Sequence, residues 1–305
     1  MAAECGSAER CLGMGRLCRK LDTGDGTENN PYLIENARQL AYIAEMVNAG
    51  VTHYDSTYFK LTTDVYIDSA TSWQPIGLNG TYYFGGHFNG NNRLITIYLT
   101  TSSVQYAGIF GYVKNGSIFN LGSAGKVKGT SSSSDAYAGG ICGYAAVTTI
   151  TNCCNKSNIS SSPYTGRSAW SGGICGASST SIFTNCKNIG IVTSSSRITS
   201  SYSDVHSYSG GICGSGGGDS SSGDTITNCC NSGNIYSYSY IYSSSTYNSN
   251  TYANSGGICG TASGVITNCY NTGIVNSLSS FAYTYNYPSS CSYYSYSGGD
   301  RKSVV

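Results

Sequence analysis

Gly139-Gly140-Ile141-Cys142-Gly143 recurs at residues 172–176, 210–214 and 256–260, with successive starts 33, 38 and 46 residues apart. A second block follows each copy, 10 to 16 residues after its Cys: Ile150-Thr151-Asn152-Cys153, Phe183-Thr184-Asn185-Cys186, Ile226-Thr227-Asn228-Cys229 and Ile266-Thr267-Asn268-Cys269. Two phased blocks at such a period specify a stack of repeats, each burying its apolar face against its neighbours. A degenerate copy comes first, Ala107-Gly108-Ile109-Phe110-Gly111 leading to Ile118-Phe119-Asn120-Leu121. Phe110 and Leu121 stand where later copies carry Cys, so both Cys columns are expected to face the interior.

Composition narrows the function classes. The chain has 305 residues, net charge +1 and only 10% charged residues, which leaves no basic field for nucleic acid. No apolar run approaches the roughly 20 residues of a spanning helix. There are 14 Cys and three His, but no Cys-x-x-Cys, so no metal or cofactor is expected. Disulfides between the two Cys columns are one reading. The favoured one is an interior ladder of reduced Cys serving as a small apolar residue. Cys154 and Cys230 share their column with Lys187 and Tyr270, so that column is expected to face outward.

Four parts are expected along the chain. Residues 1–23 show no pattern and no secretory h-region. Residues 24–100 read as a capping module. In it Asn36 is the N-cap of a helix with Gln39 in the capping-box position, Leu40, Ile43 and Val47 on one stripe, and Gly50 as its stop. Residues 101–299 carry the repeats. Residues 300–305 resemble the translation of a common sequencing adapter and break a fifth copy after Gly299, so they are read as a non-native tail on a fragment.

The repeats resemble GLUG-motif proteins through Gly140-Ile141-Cys142-Gly143 and its copies. Asn30-Pro31-Tyr32, Trp73-Gln74-Pro75-Ile76-Gly77 and Phe84-Gly85-Gly86-His87-Phe88-Asn89-Gly90 resemble the segment that often precedes such repeats. The resemblance implies an all-β chain folded as a right-handed parallel β-helix. It also implies a secreted or cell-surface location and an adhesive or spacer role, as in the non-catalytic region of IgA-cleaving metallopeptidases. The chain lacks the His-Glu-x-x-His of those peptidases and shows neither signal nor wall anchor. In a parallel β-helix, side chains at one phase stack at about 4.8 Å. Asn152, Asn185, Asn228 and Asn268 then form one column, and Asn155, Asn188, Asn231 and Asn271 another. Stacked amides bond up such a column. Both blocks are expected as strands of one coil, with the paired Gly allowing a tight corner before each Ile-Cys.

Function is expected in the spacers of growing length, residues 159–172, 192–210, 235–256 and 275–298. They are rich in Tyr and Ser, with Tyr236, Tyr238, Tyr240, Tyr242 and Tyr247 in one and Tyr283, Tyr285 and Tyr287 in another. Tyr supplies amphipathic contact area and Ser supplies adaptable hydrogen bonds, as in antibody paratopes. The expectation is a loop face that binds a host surface protein or a glycan. Solvated spacers and extra sheet on the flank are the competing readings. An enzyme of the polysaccharide-active β-helix kind needs paired carboxylates or Ca²⁺. The acids after residue 129 are isolated, so no catalytic residue is expected. Asp219 and Asp224 read as a solvated turn, with weak Ca²⁺ binding as the alternative. Asp55, Asp64 and Asp68 read as strand-end residues.

Overall fold

The computed structural model describes residues 21, 23–67, 73–100, 104–164, 166–198, 204–216, 223–241, 250–281 and 293–298. Among the described residues the fold is all-β apart from one helix, Ala37–Asn48. The described strands form three sheets of seventeen, six and five strands, and their ladders are all parallel, with one isolated antiparallel bridge between Arg167 and Arg197. One repeat shows the plan. Ala169–Gly172 lies in the six-stranded sheet and Cys175–Ser179 in the five-stranded one. Ile182–Thr184, Lys187–Asn188 and Val192–Ile198 then join the largest sheet. Each strand pairs with its counterparts in the repeats before and after.

Register places the first Cys column in the interior, and burial with the contacts of Cys186 to Cys229 and Cys229 to Cys269 places the second there too. Phe110 pairs with Cys142, Cys142 with Cys175, Cys175 with Cys213 and Cys213 with Cys259. Cys142, Cys175 and Cys213 are fully buried, as are Ile141, Ile174, Ile212 and Ile258 beside them. Leu121, Cys153, Cys186, Cys229 and Cys269 are buried in the second column. The ten described cysteines all carry free thiols. Cys154, Lys187, Cys230 and Tyr270 pair in register on the outside.

The repeated blocks turn out to be corners between strands. Gly172 ends one strand and Cys175 begins the next; Thr184 ends another and Lys187 begins its successor. The outer asparagines Asn120, Asn152, Asn185, Asn228 and Asn268 hold φ between 51° and 55°. Asparagine tolerates this left-handed conformation better than other residues with a Cβ. Part of their column is bonded, Asn185 Nδ2 donating to Asn152 Oδ1 at 3.1 Å and Asn152 Nδ2 to Asn120 Oδ1 at 3.0 Å.

The inner asparagines are bonded more completely, and Asn155, Asn188 and Asn231 are fully buried while Asn271 is half-buried. Asn155 donates to Asn188 Oδ1 at 2.7 Å, Asn188 to Asn231 at 2.7 Å and Asn231 to Asn271 at 2.6 Å. Each amide also donates to the carbonyl two residues on: Ser157, Gly190, Gly233 and Gly273. The paired glycines follow from this ladder. A Cβ on Gly140, Gly173, Gly211 or Gly257 would overlap Asn155, Asn188, Asn231 or Asn271. A Cβ on the first Gly of each pair would overlap the carbonyl of the Cys three residues on. None of these eight glycines has positive φ, so what they supply is space and not backbone freedom.

The helix begins as expected. Asn36 Oδ1 accepts from Arg38 N and Gln39 N, while Gln39 Oε1 accepts from Glu35 N, one residue before the cap. Gly50 turns the chain at φ 69°. Leu40, Ile43 and Val47 are fully buried in the same core as the Cys columns. Asn48 ties the helix to the chain beyond it, bonding Pro75 O and Gly77 N at 2.9 Å each.

Replacing Asn188 with Leu removes two donated bonds and leaves polar groups of Asn155 and Gly190 short of partners. We expect a loss of about 3 kcal/mol, read as a lower urea midpoint. Gly173→Ala should shift the midpoint the same way, because its Cβ meets the same asparagine.

Candidate functional site: the outward aromatic faces

The variable spacers build a two-layer flange. Past the core, Val192–Ile198 faces Val205–Gly210, Ile235–Ile241 faces Thr251–Gly256, and Val275–Phe281 faces Tyr293–Gly298. The first member of each pair belongs to the largest sheet and the second to the six-stranded sheet. Serine fills the space between. Ser194 meets Ser209 at 2.6 Å, and Ser196 meets Ser207 at 2.7 Å. Ser209 and Ser207 donate to the carbonyls of Tyr236 and Tyr238 at 2.7 and 2.6 Å, and Ser237 donates to Asn254 O at 2.6 Å. These short side chains let the two layers bond directly across the space between them. Ile198, Val205 and Ile241, all buried, form a separate apolar cluster at the outer ends of these strands.

Serine in and tyrosine out is the period of a strand. Tyr236, Tyr238 and Tyr240 therefore stand on Ile235–Ile241, half-buried on its outer face, and not on a loop. Their rings are nearly parallel, 6.2 Å from one to the next. Their register partners are Thr193, Ser195 and Arg197 on one side and Asn276, Leu278 and Ser280 on the other, none of them aromatic. Leu278 beside Tyr238 is 48% exposed. The serines are buried against the other sheet, so they cannot serve as adaptable contacts for a partner. Tyr242, Tyr247, Tyr283, Tyr285 and Tyr287 lie outside the described residues, as do residues 1–20, Asp68, Asp219 and residues 299–305.

Reading the spacers alone misses a second aromatic face. On the six-stranded sheet Tyr106, Tyr137, Trp170 and Tyr208 occupy one register column. Tyr106 stacks on Tyr137 at 5.0 Å, Tyr137 on Trp170 at 4.5 Å and Trp170 on Tyr208 at 5.9 Å. Tyr112 and Tyr144, stacked at 4.9 Å, abut the column edge-on. Beside it runs His206, Tyr252 and Tyr294, with Tyr208 Oη 3.0 Å from His206 Nδ1. Burial lowers the His206 pKa and raises those of the Tyr106 and Tyr137 phenols, and it pushes Tyr144 up to about 12. The signal was present in the sequence: Tyr137, Trp170, Tyr208 and Tyr296 each stand two residues before a Gly pair. These columns consume ring faces on one another, and a stacked sugar needs a free face. The register neighbours of Tyr236 and Tyr238 are not aromatic, so those two rings do not join such a column.

The acids hold neighbouring repeats. Asp135 accepts from Ser168 N at 2.8 Å, Asp204 from Asn250 N at 2.7 Å and Asp64 from Leu94 N at 2.9 Å. Asp224, expected in a solvated turn, is instead 3% exposed within Asp224–Thr227. It accepts from Ser178 Oγ and from Ser181 N, the turn of the preceding repeat. Among the described residues no three of His, Cys, Asp and Glu group to hold a metal ion. Nor is any helix among them long and apolar enough to cross a membrane.

No family model matches the chain. A stretch of 109 residues is 36% identical to a protein of Evansella cellulosilytica provisionally named a Gly-rich membrane protein; it covers 33% of this chain but only 12% of that protein. In three dimensions the chain is similar to a Bacteroides ovatus protein provisionally described as an immunoglobulin A1 protease. That likeness has a TM-score of 0.50 at 20% identity and covers 91% of this chain and 87% of the other. At that identity the likeness speaks to fold alone.

The thiols supply a test of this arrangement. Contact with Cys186, then burial, pushes the Cys229 thiol up to about 12, and Cys175 is raised chiefly by burial. The thiolate is the nucleophile. Maleimide at pH 8 should label Cys154 and Cys230 in the native chain. Cys142, Cys153, Cys175, Cys186, Cys213 and Cys229, buried away from the reagent, should stay silent until denaturant is added, and Cys175, Cys186 and Cys229, whose thiols are pushed up, should show no rise in labelling between pH 8 and 9. Peptide mapping reads both. The serine layer makes a second prediction: Ser209→Val overpacks the flange and should cost about 1–3 kcal/mol in urea unfolding.

Proposed function

We propose that the chain is a non-catalytic segment of an extracellular or cell-surface protein, folded as a right-handed parallel β-helix of GLUG-type repeats, that binds a host protein through Tyr236, Tyr238 and Tyr240. The observation that carries the binding role is the row itself. Three regularly spaced tyrosines stand on one strand, backed by a bonded serine layer, beside the exposed Leu278. Rigid aromatic anchors of this kind hold most of the energy in protein interfaces. Three sheets fed in turn by each repeat support the β-helix reading, and the right hand follows from the strong bias of parallel crossovers. The use of Asp135, Asp204 and Asp224 as backbone acceptors supports the non-catalytic reading. The extracellular reading leans on the GLUG resemblance and on the names of the two similar proteins.

A rigid spacer is the second reading, favoured by the bonded ladder that runs from Asn155 to Asn271. Surface binding to immobilised immunoglobulin A1, with mucin as the glycan-rich alternative, separates the two. Changing all three tyrosines to Ser should weaken immunoglobulin binding at least about tenfold while the far-UV spectrum is unchanged. Undiminished binding rejects this face, preference for mucin moves the ligand to a glycan, and a native chain that binds neither leaves the spacer.

A further inference from the structure

The aromatic column on the six-stranded sheet brings phenols from different repeats into contact. Tyr252 and Tyr294 are register partners on adjacent parallel strands, 42 residues apart in sequence. Their ring centroids are 4.9 Å apart and their planes differ by 5°. Tyr294 is 37% exposed, so an oxidant can reach it, and Tyr252 is half-buried beneath the same surface. The pairs Tyr106–Tyr137 and Tyr112–Tyr144 are equally close, but they hem one another in edge-on and Trp170 covers Tyr137. Among the described residues, Tyr252 stacks on His206 at 4.5 Å on its other side, and Tyr294 has Tyr296 at 6.4 Å along its own strand.

We propose that Tyr252 and Tyr294 form an oxidative cross-linking site, joined as dityrosine by a peroxidase with hydrogen peroxide. Each phenol gives one electron and one proton to the oxidant. The two phenoxyl radicals couple through ortho carbons, and both rings return to phenols when the ortho protons leave. The peroxide leaves as two waters, so two tyrosines and one peroxide yield one dityrosine and two waters. Holding both partners in one register raises their effective concentration far above that of any second molecule. The product staples one repeat to the next with a covalent bond, which parallel hydrogen bonds alone do not provide.

The test uses the full chain at low concentration with a plant peroxidase and limiting hydrogen peroxide. We expect dityrosine fluorescence in a species of monomer size whose mass is lower by two hydrogens, with the Tyr252 peptide linked to the Tyr294 peptide as the leading pair. Tyr294→Phe keeps the stacked ring but removes the phenol. It should abolish that linked pair while native circular dichroism is retained. Dityrosine confined to dimers, or linked pairs scattered over the chain without preference for Tyr252–Tyr294, overturns the proposal. So does an unchanged product in Tyr294→Phe.

Discussion

The contact between an inner asparagine and a glycine without a side chain sets the geometry of the four full repeats. Asn155, Asn188, Asn231 and Asn271 each occupy the space that a Cβ on Gly140, Gly173, Gly211 or Gly257 would need. The amide must be there because the corner it braces leaves a carbonyl pointing inward, and an unpaired buried carbonyl costs about 1–3 kcal/mol. Because each amide also bonds to the next, the corner is braced along its length and within each repeat at once. The two sequence blocks of a repeat are therefore one device, with the asparagine of one seated against the glycine of the other.

Once that corner is fixed, the rest of the cross-section is constrained. The Ile and Cys that follow the glycines point inward, and their small volumes fit a core already narrowed by the asparagines. Phe110 and Leu121 fill the same columns in the first repeat, where Phe84 and Phe88 provide aromatic packing instead. On the far side no such corner limits the chain, so the strands run on and grow from four residues in Asn158–Ser161 to seven in Ile235–Ile241. Serine is suited to that extension, because its hydroxyl finds a carbonyl on the opposite sheet where a larger side chain would force the layers apart. Length variation thus enters as flange, with its tyrosines on the outside.

Much of this was legible in the sequence because ladders require one residue type at one phase. The alignment of Phe110 with Cys142 predicted an interior column, and Lys187 and Tyr270 predicted an outward one. Asn36, Leu40, Ile43, Val47 and Gly50 sketched the helix from local rules alone. The misses have physical causes. The spacers read as loops because Tyr-Ser alternation resembles a low-complexity tract, yet that alternation is also the period of a strand. Asp224 read as solvated because Gly and Ser precede it, and nothing local shows that Ser178 and Ser181 of the repeat before will enclose it. The column from Tyr106 to Tyr208 lies at fixed phase before the glycines, but its members are tens of residues apart and only the pairing of the six-stranded sheet brings their rings together.

The sequence by itself determined the repeat phase, the residues of each buried column and the start and stop of the helix. These follow from short-range spacing and from identical residues falling on one another. Only the tertiary structure decided which face of each spacer strand meets another sheet, where Asp224 sits, and that Tyr252 meets Tyr294 across two repeats. Alternation along a strand yields two faces but does not say which one another layer will cover. That choice depends on contacts between segments tens of residues apart, joined by spacers of unequal length.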